Sequence, residues 1–256
     1  MGVIPDGARA SYYSEDAPMR LHVIGCSPAW PNPGGVQSGY LVEEGGRRLL
    51  LDCGPGVLAR LRQDEDWPRV DAIAISHFHL DHWGDLLPWA FGGLFGSGRG
   101  VAAPELWLPP GGVDTLERLD PVLFTRAILD LFDVREYPAE TPFTAAGFEL
   151  VAYPVHHYDL ESYGMRVSAG GRTLAYSADS APCAGLLAVG RDADVFLCEA
   201  TLAEPENGLR GHLTAEEAIE ASEAAGAKRL VLIHRPAELP LPDGVERAHD
   251  GLTLDV

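Results

Sequence analysis

Cysteine is scarce in this chain and never paired: Cys26, Cys53, Cys183 and Cys198 lie far apart, with no Cys-x-x-Cys spacing among them. Thiolate metal sites and redox pairs need that spacing, and three of the four thiols stand in or beside apolar runs where a free cysteine behaves as a small hydrophobe. All four are expected to be buried and reduced. Basic side chains are also few. The 19 Lys and Arg face 38 Asp and Glu, for a formal net charge of -19. Such a field opposes approach to a polyanion such as tRNA or to an anionic membrane, so a nucleic-acid partner is disfavoured. No stretch approaches the roughly 18 apolar residues of a membrane span, and the first residues show no basic segment followed by an apolar one. The expectation is a cytoplasmic protein with no membrane partner.

What is present suits a well-cored globular chain: 256 residues, of which 46% are hydrophobic. Residues 1–18 are polar and broken by Pro5, Gly7 and Pro18, which predicts a loosely held leader ahead of one domain over 19–256. Strand-like runs follow at 20–24, 39–43 and 47–52, the last two joined by Glu44-Gly45-Gly46, which has the glycines of a tight hairpin. A helix is expected after Gly54-Pro55-Gly56, a buried strand over 71–75 and a helix over 85–95. Strands at 105–108 and 131–137 bracket helical material at 113–120 and 121–129. The second half reads as a hairpin of 148–155 and 163–168, then strands at 173–177, 194–198 and 230–233. Between the last two, Thr214 and Glu217 stand at capping-box spacing ahead of an Ala- and Glu-rich helix ending near Ala225. Two β-rich halves packed as sheets with helices outside are expected, an α/β (α+β) architecture.

The strand at 71–75 leads into His77-Phe78-His79-Leu80-Asp81-His82, which holds three of the nine histidines in six residues. Imidazole nitrogen and carboxylate oxygen together suit divalent zinc, manganese or iron, and a tight turn after a strand aims His77 and His79 one way and Asp81 and His82 another. Four later segments each place a polar residue after an apolar run: His156-His157, Asp179, His212 and His234. Taken singly each has a plain structural explanation, such as a satisfied core histidine or a turn aspartate. Together they describe strands delivering ligands to one converging site.

These residues in this order resemble the metallo-β-lactamase superfamily, in particular its ribonuclease-Z-like phosphodiesterase branch. The likeness runs from Met19 onward and includes Leu50-Leu51-Asp52-Cys53-Gly54-Pro55-Gly56 and Cys198-Glu199-Ala200-Thr201. It implies a four-layer αββα sandwich with two divalent metal ions, zinc most often, at the sheet edges. By this likeness His77, His79 and His157, with His156 as the alternative to His157, match the ligands of the first ion. Asp81, His82 and His234 match those of the second, and Asp179 bridges both. Asp81, His212 and Glu199 match the catalytic residues: His212 as general acid or phosphate contact, Glu199 as the carboxylate that orients it. Gly25-Cys26-Ser27, Ser38-Gly39-Tyr40-Leu41-Val42 and the segment 195–200 are similar to actinobacterial-type cyclic-AMP phosphodiesterases. Family members are often dimers, which makes a homodimer an expectation of the likeness.

The reaction expected is hydrolysis of a small, nucleotide-like phosphodiester. A tRNA-processing ribonuclease Z fits less well, because the segment between His157 and Asp179 is too short for a protruding RNA-binding arm and the charge is of the wrong sign. The alternatives are a thioesterase or lactonase on the same scaffold, and a metal-binding module without turnover. Among the aromatics, Trp30 and Trp83 are expected to line a pocket, and Trp89, Phe91 and Phe95 to belong to the core.

Overall fold

The computed structural model describes residues 18–63 and 65–256; the leader expected over 1–18 lies almost wholly outside them. The elements in chain order are β1 (Arg20–Gly25), β2 (Gly39–Glu44), β3 (Arg47–Leu51), α1 (Val57–Leu61), β4 (Ala72–Ala74), α2 (Leu80–Trp83), α3 (Leu86–Phe95), β5 (Glu105–Leu108), α4 (Gly112–Leu119), α5 (Arg126–Leu131) and β6 (Asp133–Glu136). They continue with β7 (Phe143–Ala145), β8 (Phe148–His157), β9 (Leu160–Ala169), β10 (Arg172–Tyr176), α6 (Ala184–Gly190), β11 (Val195–Glu199), α7 (Ala215–Ala225), β12 (Leu230–Ile233), β13 (Glu246–Arg247) and β14 (Thr253–Asp255).

Two mixed sheets face each other, ordered β14-β1-β2-β3-β4-β5-β6 and β13-β12-β11-β10-β9-β8-β7. Alternate residues of β1 and β3, such as Leu21, Val23, Leu49 and Leu51, meet Phe148, Leu150, Met165 and Leu197 of the other sheet in one apolar layer. The outer face of the first sheet, with Leu50, Ile73 and Leu106, is covered by α1 and α3 to α5 through Leu58, Leu86, Trp89 and Ile128. The outer face of the second, with Ala175, Phe196 and Leu232, is covered by α6 and α7 through Leu186, Val189, Ala218 and Ala221. The result is the expected four-layer αββα sandwich. Strands buried on both faces read as unbroken apolar runs, which is why β4, β11 and β12 were legible from sequence.

Several expectations need correction. The helix foreseen over 121–129 begins only at Arg126, after a turn at Pro121. The metal-loop motif is not all loop, because Asp81 and His82 sit on the single turn α2. The two sheets are not simply two halves of the chain, since the C-terminal β14 pairs with β1. Cys183 is only partly buried, and its sulfur accepts the Leu186 N–H as the N-cap of α6. Trp83 belongs to the core, with its indole N–H on the Phe78 carbonyl, while Phe91 and Phe95, expected inside, are exposed. Trp30 is exposed. Among the described residues no helix is long and apolar enough to cross a membrane.

Candidate metal centre

The ends of β4, β8, β10, β11 and β12 lie at the same edge of the sandwich and carry the polar residues that end their apolar runs. Three of the few non-glycine residues with positive φ lie at such ends: Asp52 (59°) after β3, Ala178 (54°) before Asp179, and His234 (50°) after β12. A left-handed residue breaks the strand's in-out alternation and re-aims the side chain; such conformations gather at functional sites.

Three groups of donors result, one of them Glu199, His212 and His234, and the other two sharing a carboxylate. His77, His79, His157 and Asp179 offer ligand atoms within 4.8 Å of one another, and so do Asp81, His82, Asp179 and His234. Asp179 is common to both. Side chains alternate along a strand, so of the adjacent pair on β8 only one can face this edge; it is His157, buried, while His156 is exposed. Asp52, Ser76, Thr201 and Gly211 hold the outer side of the cluster, and none of them was singled out from sequence beyond its place in a segment. The signal was available at Asp52, which ends an apolar run as the ligand candidates do.

The hydrogen bonds assign the imidazole tautomers. The Ser76 hydroxyl gives its one proton to Asp52 at 2.8 Å, so towards His77 Nδ1, at 3.0 Å, it can only accept. The Nδ1–H of His157 donates to the Gly211 carbonyl at 2.7 Å, and that of His82 to Asp52 at 2.6 Å. His234 Nδ1 lies 2.9 Å from the Thr201 hydroxyl. Each ring is left with Nε2 turned inward. Nε2 of His77, Nε2 of His82 and Oδ1 of Asp179 are buried with no partner among the described residues. Buried polar atoms are nearly always satisfied, so orphaned imidazole and carboxylate atoms converging from the ends of β4 and β10 fit a pair of divalent ions.

The electrostatics differ between the two groups that share Asp179: at His82 burial is outweighed by Asp179, Asp52 and Asp81, which push it well above the usual range. Burial, reinforced by neighbouring imidazoles, pushes His77 well down, and burial likewise lowers His157, so both stay neutral lone-pair donors. Burial would raise Asp179 and Asp81, but the surrounding histidines outweigh it and hold both carboxyls well below the usual range.

Beside the second group sits a different pair. Glu199, fully buried, accepts from Ser180 N–H, Thr201 N–H, Thr201 Oγ1–H and, at 2.8 Å, Nδ1–H of His212. His212 stacks on His234 with ring centroids 5.7 Å apart, and only its edge reaches solvent. It stands two residues before the capping box of α7, in a loop pinned by Glu206, which accepts from the Tyr158 hydroxyl and the Gly211 N–H. Burial disfavours its charged form, but the charge and hydrogen bond of Glu199, with Asp179 and Glu206 behind, push it up to about 9. The structure thus brings together every residue the sequence singled out except His156.

Residues 47–235 match the family model described as beta-lactamase superfamily domain. The probable metallo-hydrolase YhfI of Bacillus subtilis is 30% identical over 85% of this chain and 87% of its own length. Its crystal structure superimposes with a TM-score of 0.80 at 27% identity, covering 93% of this chain and 99% of that one. The uncharacterized protein Rv1339 of Mycobacterium tuberculosis is 32% identical over 90% of this chain and 85% of its own. A ribonuclease Z of Bradyrhizobium diazoefficiens is 25% identical over 84% and 88%.

Proposed function

The chain belongs to the metallo-β-lactamase superfamily, and from that premise we propose that this metal-dependent hydrolase is a phosphodiesterase for a small, cyclic nucleotide-like phosphodiester, with zinc as its resident ion. In this reading His77, His79 and His157 would hold one ion and Asp81, His82 and His234 the other, with Asp179 common to both groups. Two divalent ions in such a site activate a water at neutral pH and neutralise the oxygens of a phosphodiester.

The observation that carries the reading is the His212–Glu199 pair. A thiolate leaving a thioester needs little from a general acid, whereas an alkoxide leaving a phosphodiester gains from a positioned proton donor. His212, with Nδ1–H on Glu199, has Nε2 free to give a proton to that oxygen. Against burial, Glu199 favours the imidazolium and pushes it up to about 9, so the ring carries the proton it would donate at neutral pH. Asp81 stays ionised and orients, with Oδ2 3.1 Å from His234 Nε2. The ribonuclease Z relative, by its name, acts on RNA, itself a phosphodiester. A small substrate is favoured over RNA here by the net charge of -19 and by the short turns that join β8 to β9 and β9 to β10 where an RNA-binding arm would stand.

The test is turnover of bis(p-nitrophenyl) phosphate and 3',5'-cyclic AMP by zinc- or manganese-loaded protein, with His212→Ala and Asp179→Ala beside it. Loss of roughly 10²- to 10⁴-fold in kcat is expected in His212→Ala for 3',5'-cyclic AMP, whose leaving group is an alkoxide, and a much smaller loss for bis(p-nitrophenyl) phosphate, whose p-nitrophenolate departs without a proton. Hydrolysis of thioesters or lactones, untouched by His212→Ala and without phosphodiester turnover, would replace the reading with an acyl hydrolase.

A further inference from the structure

One residue beyond the metal centre, Arg235 forms a wall of a separate cleft of about 310 Å³, set between the loop after β1, Arg60 of α1, the end of β12 and β13. Arg60, Arg235 and Arg247 all line it, with Asp250 as the only carboxylate among the lining residues. Three guanidiniums in one cleft are unexpected in a chain where acidic residues outnumber basic ones two to one. Like charges brought together cost energy unless something of opposite sign binds between them.

The three are not equally engaged. Arg60 is paired with Asp250 at 3.1 Å. Arg235 is 95% buried by its 5% exposure, donates to the carbonyls of Ala200 and Pro240 at 2.6 Å each, and keeps a buried Nε–H with no acceptor among the described residues. Arg247, held on β13 opposite Leu232, has no carboxylate partner among the described residues. Glu216 lies near enough to Arg235 to offset part of the charge, which still leaves an excess of positive charge in the cleft. The wall is built and not a chance gathering of flexible side chains. Asn32 donates to the Arg235 carbonyl at 3.0 Å and accepts the Ala237 N–H at 2.8 Å, clamping the β1 loop onto the segment that follows His234.

We propose that this cleft is a binding site for a phosphate-class dianion, held by Arg247 with the buried guanidinium of Arg235 adding positive charge behind it, and separate from the metal centre. A planar guanidinium matches tetrahedral oxyanions by paired N–H donors, and the volume accommodates a phosphate with a sugar attached. The anion is either a second phosphate of the substrate itself or a free phosphorylated effector.

Calorimetry with inorganic phosphate tests the site without turnover. In excess chelator the wild-type protein is expected to retain one phosphate site, weakened about tenfold or more in Arg247→Gln, which lies at a sheet edge and leaves the fold intact by thermal melt. Arg247→Lys recovers part of the affinity, and Asp179→Asn leaves it unchanged. Phosphate binding that disappears with chelator, or that Arg247→Gln leaves unaltered, overturns the proposal by placing the anion at the metal centre. A second arm identifies the source and rests on the phosphodiesterase reading. If Arg247→Gln raises KM only for a nucleoside phosphodiester bearing a terminal monophosphate, and not for bis(p-nitrophenyl) phosphate, the anion is the substrate's own. If phosphate alters turnover of bis(p-nitrophenyl) phosphate in wild type but not in Arg247→Gln, it is an effector.

Discussion

Replacing Asp52 by Asn tests whether the metal centre is held from behind. Asp52 is fully buried and accepts four hydrogen bonds: Ser76 N–H at 2.7 Å on Oδ1, and Ser76 Oγ–H, His82 Nδ1–H and Tyr176 O–H on Oδ2. Asparagine has the same shape and tolerates the positive φ of 59° at this position, so backbone strain is not at issue. It keeps one acceptor oxygen, however, and turns two donor hydrogens towards groups that are themselves donors. With the oxygen on the crowded side, the Ser76 N–H is left facing an NH₂ group, a loss of about 1–3 kcal/mol. The bond to His82 loses its charge assistance as well, so a total of about 2–4 kcal/mol is expected. Against the roughly 5–15 kcal/mol of an ordinary domain the protein stays folded, and urea unfolding reads the difference. The larger effect is on metal. Backed by a neutral amide oxygen in place of a carboxylate, His82 is a weaker and less firmly aimed ligand, so affinity for the second ion falls about 10- to 100-fold. Zinc titration against a competing chelator should show one site weakened far more than the other. Two unchanged affinities would refute the view that Asp52 aims His82.

Gly54→Ala should damage the same centre sterically, because a Cβ there would lie 2.0 Å from the Asp81 carbonyl oxygen, which is backbone and cannot swing away; a cost of about 1–3 kcal/mol and weaker zinc binding are expected in unfolding and titration. Glu199→Gln removes the charge that raises His212, so the alkaline limb of the pH–kcat profile should move to lower pH, with little change in KM; an unmoved limb would separate His212 from proton donation. At the surface, Lys228, the Thr173 N–H and Arg172 hold Asp194 down to about 2. A depressed carboxyl stabilises the fold above its unfolded pKa of about 3.9 and loses that contribution as pH falls through about 2. Asp194→Asn should therefore flatten the fall in stability between about pH 4 and 2, by under about 1 kcal/mol because its cationic partners are largely exposed and solvent-screened.

The sequence by itself determined the sandwich fold, the class of metal-dependent hydrolase and most of the elements. His77, His79, Asp81 and His82 are consecutive enough to be read as a donor cluster, and β4, β11 and β12 announce themselves as short apolar runs because both their faces are buried. The capping box at Thr214 is local, and local interactions are legible in a linear chain. Tertiary structure alone decided what depends on contacts between distant residues. His157 sits 78 positions from His79 but 2.8 Å from it, and which of His156 and His157 faces inward follows from the register of β8 against β9. Trp83 turns into the core while Phe95 is left outside, a difference set by which helix face meets the sheet. The tautomers of His77 and His82 are fixed by Ser76 and Asp52, and the basic cleft exists only because residues 32, 60, 235 and 247 are folded onto one another. Periodicity encodes which face a residue occupies; it carries no record of what the opposite sheet places against it.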